Sequence, residues 1–276
     1  MTNFKRIIFA VVFGLLSSVS SSLTISAQDV HPVVDTVEGC LIGGIAGGKW
    51  LEADELAPML KGGERYRLYT LASAAGEAVG SNTESAGEPC NSTKNIKFSP
   101  ETRGAIAIGG QWNALPRVPR VVGTNDPVYR QVVAGFLRRN GFVRPKINIT
   151  QIIRIDLEGD GREEVIVSAT HLAEGLSVDG GPMAVHAKPG DYSLVFVRKI
   201  VRGRVRDIVL TEAYFPRKNS DPWTPTQDKV AAVLDLNGDG KMEIILHGGY
   251  YEGSWSSVFR LDGERFKNVF GCGCGA

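Results

Sequence analysis

Two nine-residue stretches constrain this chain more than anything else in it: Asp156-Leu-Glu158-Gly-Asp160-Gly-Arg162-Glu-Glu164 and Asp235-Leu-Asn237-Gly-Asp239-Gly-Lys241-Met-Glu243. Each places an acidic or amide side chain at loop positions 1, 3, 5 and 9 and glycine at 4 and 6. Each runs straight into branched apolar residues, Val165-Ile-Val167 or Ile244-Ile-Leu246. Glycine lets the backbone take the positive φ that a tight reversal needs, and branched residues favour the strand that follows. The segments are therefore expected to close β-hairpins. Alternate side chains of such a loop aim their oxygens at a common centre, and a hard divalent cation takes six to eight oxygens. The candidate ligands are the side chains of Asp156, Glu158, Asp160 and Glu164 in one loop, and of Asp235, Asn237, Asp239 and Glu243 in the other. The main-chain carbonyls of Arg162 and Lys241, at position 7, complete the two sets.

An EF-hand would carry glutamate at position 12 and helices on both flanks. Here position 12 is Val167 or Leu246 and the flanks read as strands. The other reading is a pair of metal-free Asp-Gly turns, since that dipeptide is itself a preferred hairpin turn. Two carboxylates ~4 Å apart repel by about 1 kcal/mol in water and about 4 kcal/mol at an effective dielectric near 20. Converging carboxylates must therefore splay into solvent or hold a cation. The spacing resembles the D-x-[DN]-G-D-G-x-x-[DE] loop of the FG-GAP/VCBS type found in integrin-α-like propellers. The resemblance covers only the two loops and their flanking strands, and Glu158 departs from it at position 3. It implies bound Ca2+ at two sites, with the second loop the closer fit.

The chain opens with Lys5 and Arg6, an apolar run from Ile7 to Leu16, and Ile25-Ser-Ala27. That is the pattern of a secretory signal cleaved after Ala27, and its apolar run is short for a bilayer span. Loss of Lys5 and Arg6 takes the formal charge from +1 to −1, which argues against nucleic acid or an anionic membrane as main partner. An exported chain meets an oxidising compartment, where its four cysteines can pair. Of the three connectivities, Cys40–Cys90 is favoured here, leaving Cys272 and Cys274 as a neighbouring pair.

Residues 28–115 read as a β-rich region of short apolar segments broken by glycine, with 72–98 a long loop and a short helix starting near Trp50. Residues 116–125, with Pro116 and Pro119, read as a linker. Asp126 and Pro127 then open a helix whose apolar stripe is Tyr129, Val132, Val133, Phe136 and Leu137, closed by Gly141. From Ile147 onward the chain reads as strands. Its two acidic loops sit in aligned segments, followed by Glu174-Gly175 in one and Glu252-Gly253 in the other. The expected fold is mainly β with one clear α-helix. Its antiparallel strands form two repeated hairpin units, 147–214 and 229–271, packed as a sandwich or an incomplete propeller. The β-rich N-terminal region precedes them.

Tyr250, Tyr251 and Trp255 cluster in the second Glu-Gly turn, as a surface for an extracellular glycan or protein or as caps on the core. Arg198, Lys199, Arg202, Arg204 and Arg206 crowd a hairpin around Gly203, read as a solvated turn. His171, Asp179, His186 and Asp191 lie in or beside a longer excursion, 176–191, in the first unit. They would serve a secreted glycan or ester hydrolase, although no nucleophile or zinc motif accompanies them. His31 and His247 have no evident partner. The leading expectation is a secreted or periplasmic, non-catalytic binding module with structural Ca2+.

Overall fold

A computed structural model describes residues 30–176, 181–182, 184–217 and 224–275. The expected signal segment, 1–27, lies outside the described residues. The N-terminal half forms β1 (Val30–Asp35), β2 (Cys40–Ala46), β3 (Lys49–Glu52), the one-turn helix α1 (Ala53–Leu56), β4 (Arg65–Tyr69), β5 (Ala74–Gly80), β6 (Glu84–Ser85), β7 (Lys94–Asn95), β8 (Phe98–Ser99) and β9 (Ile106–Ile108). These strands make one sheet in the order β6-β7-β2-β1-β9-β4-β5-β8, with β3 also paired to β2. Residues 72–98, expected as a loop, contain β5, β6 and β7. The signal is weak because β5 is mostly exposed and built of Ala, Gly and Glu, so it lacks the apolar alternation that marks a strand.

The second half begins with β10 (Arg120–Val122), inside the segment read as a linker, followed by α2 (Pro127–Arg139). It continues with β11 (Ile149–Ile155), β12 (Glu164–His171), β13 (Asp191–Val201) and β14 (Arg204–Phe215). The last four strands are β15 (Gln227–Leu234), β16 (Glu243–Tyr250), β17 (Gly253–Asp262) and β18 (Arg265–Cys274). They form a five-stranded sheet, β10 to β14, and a four-stranded sheet, β15 to β18, each in chain order. Every pairing is antiparallel, as in β11 with β12 and β15 with β16. The chain is thus mainly β with antiparallel sheets, and its described residues hold two α-helices, the one-turn α1 near Trp50 and the longer α2 after Asp126.

Helix α2 starts where Asp126 accepts a hydrogen bond from the Val128 N–H at 2.8 Å, with Pro127 at the first helical position. Its face of Val133, Phe136 and Leu137 packs on Val165, Val167, Leu194 and Phe196. The intervening residues Ile166, Val195 and Val197 point to the other side of the same sheet. Burial on both faces explains why these strands read as unbroken apolar runs. That other side belongs to one core shared by all three sheets, joining Val33 and Ile106 of the first, Ile153 and Val195 of the second, and Val233 and Leu246 of the third.

Two disulfides, Cys40–Cys272 and Cys90–Cys274, tie the first sheet to β18, with Cα atoms 6.2 and 5.4 Å apart. The expected Cys40–Cys90 bridge is not formed. Nothing local in the sequence brings the ends of the chain together. Packing of β18 against β2 through the shared core does, with Phe270 of β18 closing on Gly43 of β2.

Candidate functional site

Both acidic loops are strand–loop–strand turns: Ile155 pairs with Glu164 across the first, and Leu234 with Glu243 across the second. Positive φ at Gly159 and Gly161 (73° and 82°) and at Gly238 and Gly240 (75° and 83°) makes each reversal. In the first loop Asp156 Oδ1 accepts from the N–H of Gly159 (2.7 Å) and Asp160 (3.2 Å), and Oδ2 from Gly161 (2.9 Å). In the second, Asp235 Oδ1 accepts from Gly238 (2.7 Å) and Asp239 (3.2 Å), and Oδ2 from Gly240 (2.9 Å). Position 5 accepts from position 7 in both, as do Asp160 from Arg162 and Asp239 from Lys241. Position 9 accepts from position 2: Glu164 from Leu157 and Glu243 from Leu236, each at 2.9 Å.

The loops lie side by side, which the sequence does not suggest. The Met242 N–H donates to the Leu157 carbonyl at 2.9 Å. Arg117, from the segment read as a linker, donates to the carbonyls of Asp156 (2.6 Å) and Gly240 (2.6 Å), one on each loop. Trp112 donates its indole N–H to the Asp235 carbonyl at 2.7 Å and lies against Gly238, where a Cβ would meet the ring at 3.3 Å.

Charge separates the two loops. Lys199, its side chain 5% exposed, places its ammonium 2.5 Å from Glu158. Burial pushes the Glu164 carboxyl up from its ordinary range, opposed by the Leu157 N–H and the Lys199 charge. At Asp156, burial raises the carboxyl, but N–H donors from Gly161, Gly159 and Asp160 and the Arg117 charge outweigh it and hold it low. In the second loop burial raises Asp235, and the neighbouring Asp239 charge adds to that. Glu243 is pushed up to about 8 by burial and by the charges of Asp239 and Asp235. Its aid from cations is the Arg260 charge, and the Arg260 guanidinium sits over the Trp50 ring at 5.2 Å. Among the described residues no group of three or more His, Cys, Asp or Glu side chains is gathered closely enough to hold a metal by itself. A cation at the second loop would draw also on Asn237 and on the Lys241 carbonyl.

Tyr250, Tyr251 and Trp255 come together at the turn between β16 and β17. Tyr250 stacks on Trp255 (6.3 Å, 28°) and meets Tyr251 edge-on (5.6 Å, 83°). Tyr251 is exposed, whereas Trp255 is half-buried behind Tyr250 and donates its indole N–H to Asp228 at 3.1 Å. Tyr250 and Tyr251 line a cleft of about 510 Å³. His247, which the sequence leaves without a partner, also lines it and has one: its Nδ1 lies 3.0 Å from Oδ2 of the buried Asp35. Ser256 donates to the same Asp35 oxygen, and the Val37 N–H donates to the other. Burial alone would raise Asp35, but the hydrogen bonds from His247, Ser256 and Val37 hold it below the usual carboxylate range. Asp228 is raised by burial in spite of Trp255 and the nearby His247.

Among the described residues, no hydrogen bond or ion pair joins His171, His186 and Asp191. His171 lies against Tyr192, with ring centres 6.3 Å apart. Asp191 is buried and accepts from the N–H of Ala173 and Lys188, a structural cap. His186 is exposed, and Asp179 lies outside the described residues. In the basic hairpin Arg198 pairs with Asp207 and Arg202 with Glu264. His31 bonds the Gly109 carbonyl and stands edge-on to Trp112. Sequence reading missed Asp35, Arg117 and Asp228 because each acts on a residue far along the chain. Comparisons with protein-family models, with curated proteins and with solved structures each return no match.

Proposed function

We propose that the chain is an exported, non-catalytic binding protein in which two copies of one hairpin unit carry acidic loops, the second of which holds Ca2+. The repeat rests on more than the loops. Each unit runs strand, acidic loop, strand, strand, strand, and each breaks register in its first strand, between Ile149 and Gln151 and between Val230 and Ala232, two positions apart when the loops are aligned. Further breaks fall between Val195 and Phe196 and between Val258 and Phe259 in their third. Export is supported by the Lys5–Ala27 pattern and by both disulfides, which persist in oxidising compartments.

The observation that supports the calcium reading is Glu243, 1% exposed and raised by burial and by the charges of Asp239 and Asp235. Burying like charges is costly unless a counter-charge is supplied. In the first loop Lys199 supplies one from the protein itself. The residues of the second loop fit a hard cation: carboxylates of Asp235, Asp239 and Glu243, the Asn237 amide oxygen and the Lys241 carbonyl. Bound there, Ca2+ contributes two positive charges that pin β15 to β16 at the end of the hairpin remote from the cleft-lining Gln227 and Tyr250. Thermal unfolding in millimolar CaCl2, MgCl2 or EGTA tests this. The melting temperature rises with calcium alone, and an indifferent melt counts against the reading.

A further inference from the structure

The cleft between the β16–β17 turn and the first sheet is framed by three fixed features. The first is an aromatic wall. Tyr250 is held flat against Trp255, whose indole is in turn tied to Asp228. Gly248 permits that tie, because a Cβ there would stand 2.3 Å from both Asp228 Oδ1 and Trp255 Nε1. The second is a polar ring nitrogen of set character. A carboxylate only accepts, so Asp35 holds a proton on His247 Nδ1 and leaves Nε2 as the ring nitrogen available to the cleft. The third is charge balance: Glu38, Glu252, Arg103 and Lys229 all line the cleft.

These features select a ligand. An anion would call for an excess of cations and a lipid for an apolar lining, and neither is present. At about 510 Å³ the space falls within the range of small-molecule sites. A rigid aromatic face next to mixed donors and acceptors suits a molecule with a flat C–H face and a rim of hydroxyls. Carboxylates accept from hydroxyls, Arg and Lys donate to them, and the imidazole Nε2 can hydrogen-bond one more. We infer that this cleft binds a neutral saccharide, with Tyr250 and Tyr251 against the sugar ring and His247 Nε2 hydrogen-bonded to a sugar hydroxyl. The inference rests on the binding-protein reading but not on calcium.

Saturation-transfer NMR on the full mature chain tests it, using cellobiose, maltose and chitobiose as neutral probes and a glucuronate disaccharide as the charged one. Each is run with calcium and with EGTA. Transfer to at least one neutral sugar is expected. Tyr251→Ala, a change at an exposed position, and His247→Gln should each weaken that binding by about tenfold or more. The shift in melting temperature on adding calcium should be the same in both variants as in the parent. Absence of transfer to every neutral sugar, equal binding by both variants, or preference for glucuronate would each overturn the inference. Sugar binding in a chain whose melt ignores calcium would uphold the cleft and overturn the loop reading alone. Cleavage of the bound disaccharide would uphold the cleft and overturn the non-catalytic reading.

Discussion

Asp235 performs two tasks at once, and substitution should separate them. Its two oxygens accept three loop N–H groups at 2.7, 3.2 and 2.9 Å. Hydrogen bonds to a charged group are worth about 1.5–3 kcal/mol. Asp235→Ala should therefore cost about 2–3 kcal/mol in urea unfolding without metal and also remove any calcium shift from the second loop. Asp35 gives a pH signature. Its folded pKa lies below the ordinary 3.8, so its contribution to stability is complete above the unfolded value and is lost as pH falls through the folded one. Asp228, which faces His247 from β15, has a raised pKa and acts in the opposite sense, favouring the fold as it takes up its proton. Urea midpoints followed downward from about pH 5 should fall in the parent and fall less steeply in Asp35→Asn. At this scale the sequence was legible where chemistry is local. The acidic loops could be read as tight turns because their hydrogen bonds span at most seven residues, whereas the partner of His247 stands 212 positions away.

At the scale of the element, the same hydrogen-bond set recurs in both loops, and the difference between them comes from a neighbouring strand. Lys199 on β13 sits on Glu158, so calcium at the first loop must compete with a resident ammonium. Lys199→Gln should raise the calcium affinity of the first loop by about tenfold, or ~1.4 kcal/mol. Calorimetry in an Asp235→Ala background, which silences the second loop, reads that change directly. An unchanged affinity would show that Lys199 does not guard the site. Strands β12 and β13 and helix α2 were readable from their apolar patterns. Strand β5 was not, because an exposed run of Ala, Gly and Glu carries no alternation. Strand β10 was hidden for another reason: three residues flanked by prolines look like a linker until they find β11.

The three sheets share one core, and the disulfides close it from the far end. Cys40–Cys272 and Cys90–Cys274 span 232 and 184 residues. Bridges over long loops restrict the unfolded chain, and each is typically worth about 2–5 kcal/mol. Cys90→Ser with Cys274→Ser should lower unfolding stability within that range. It should also weaken ligand binding at the cleft, since Cys274 lines its wall. Such connectivity was invisible in sequence because it depends on how β2 and β18 meet across the molecule. The central claim is narrower than the fold: the second acidic loop, whose carboxylates have no lysine ion pair among the described residues, is the one proposed to be completed by calcium. Isothermal titration of the metal-free chain with CaCl2 tests it most directly. The account predicts heat fitting one dominant site in the ~10⁻⁴–10⁻³ M range of extracellular modules, abolished by Asp235→Ala and Asp239→Ala. Calcium binding undiminished in those variants, or no calcium heat at millimolar concentration, would contradict it.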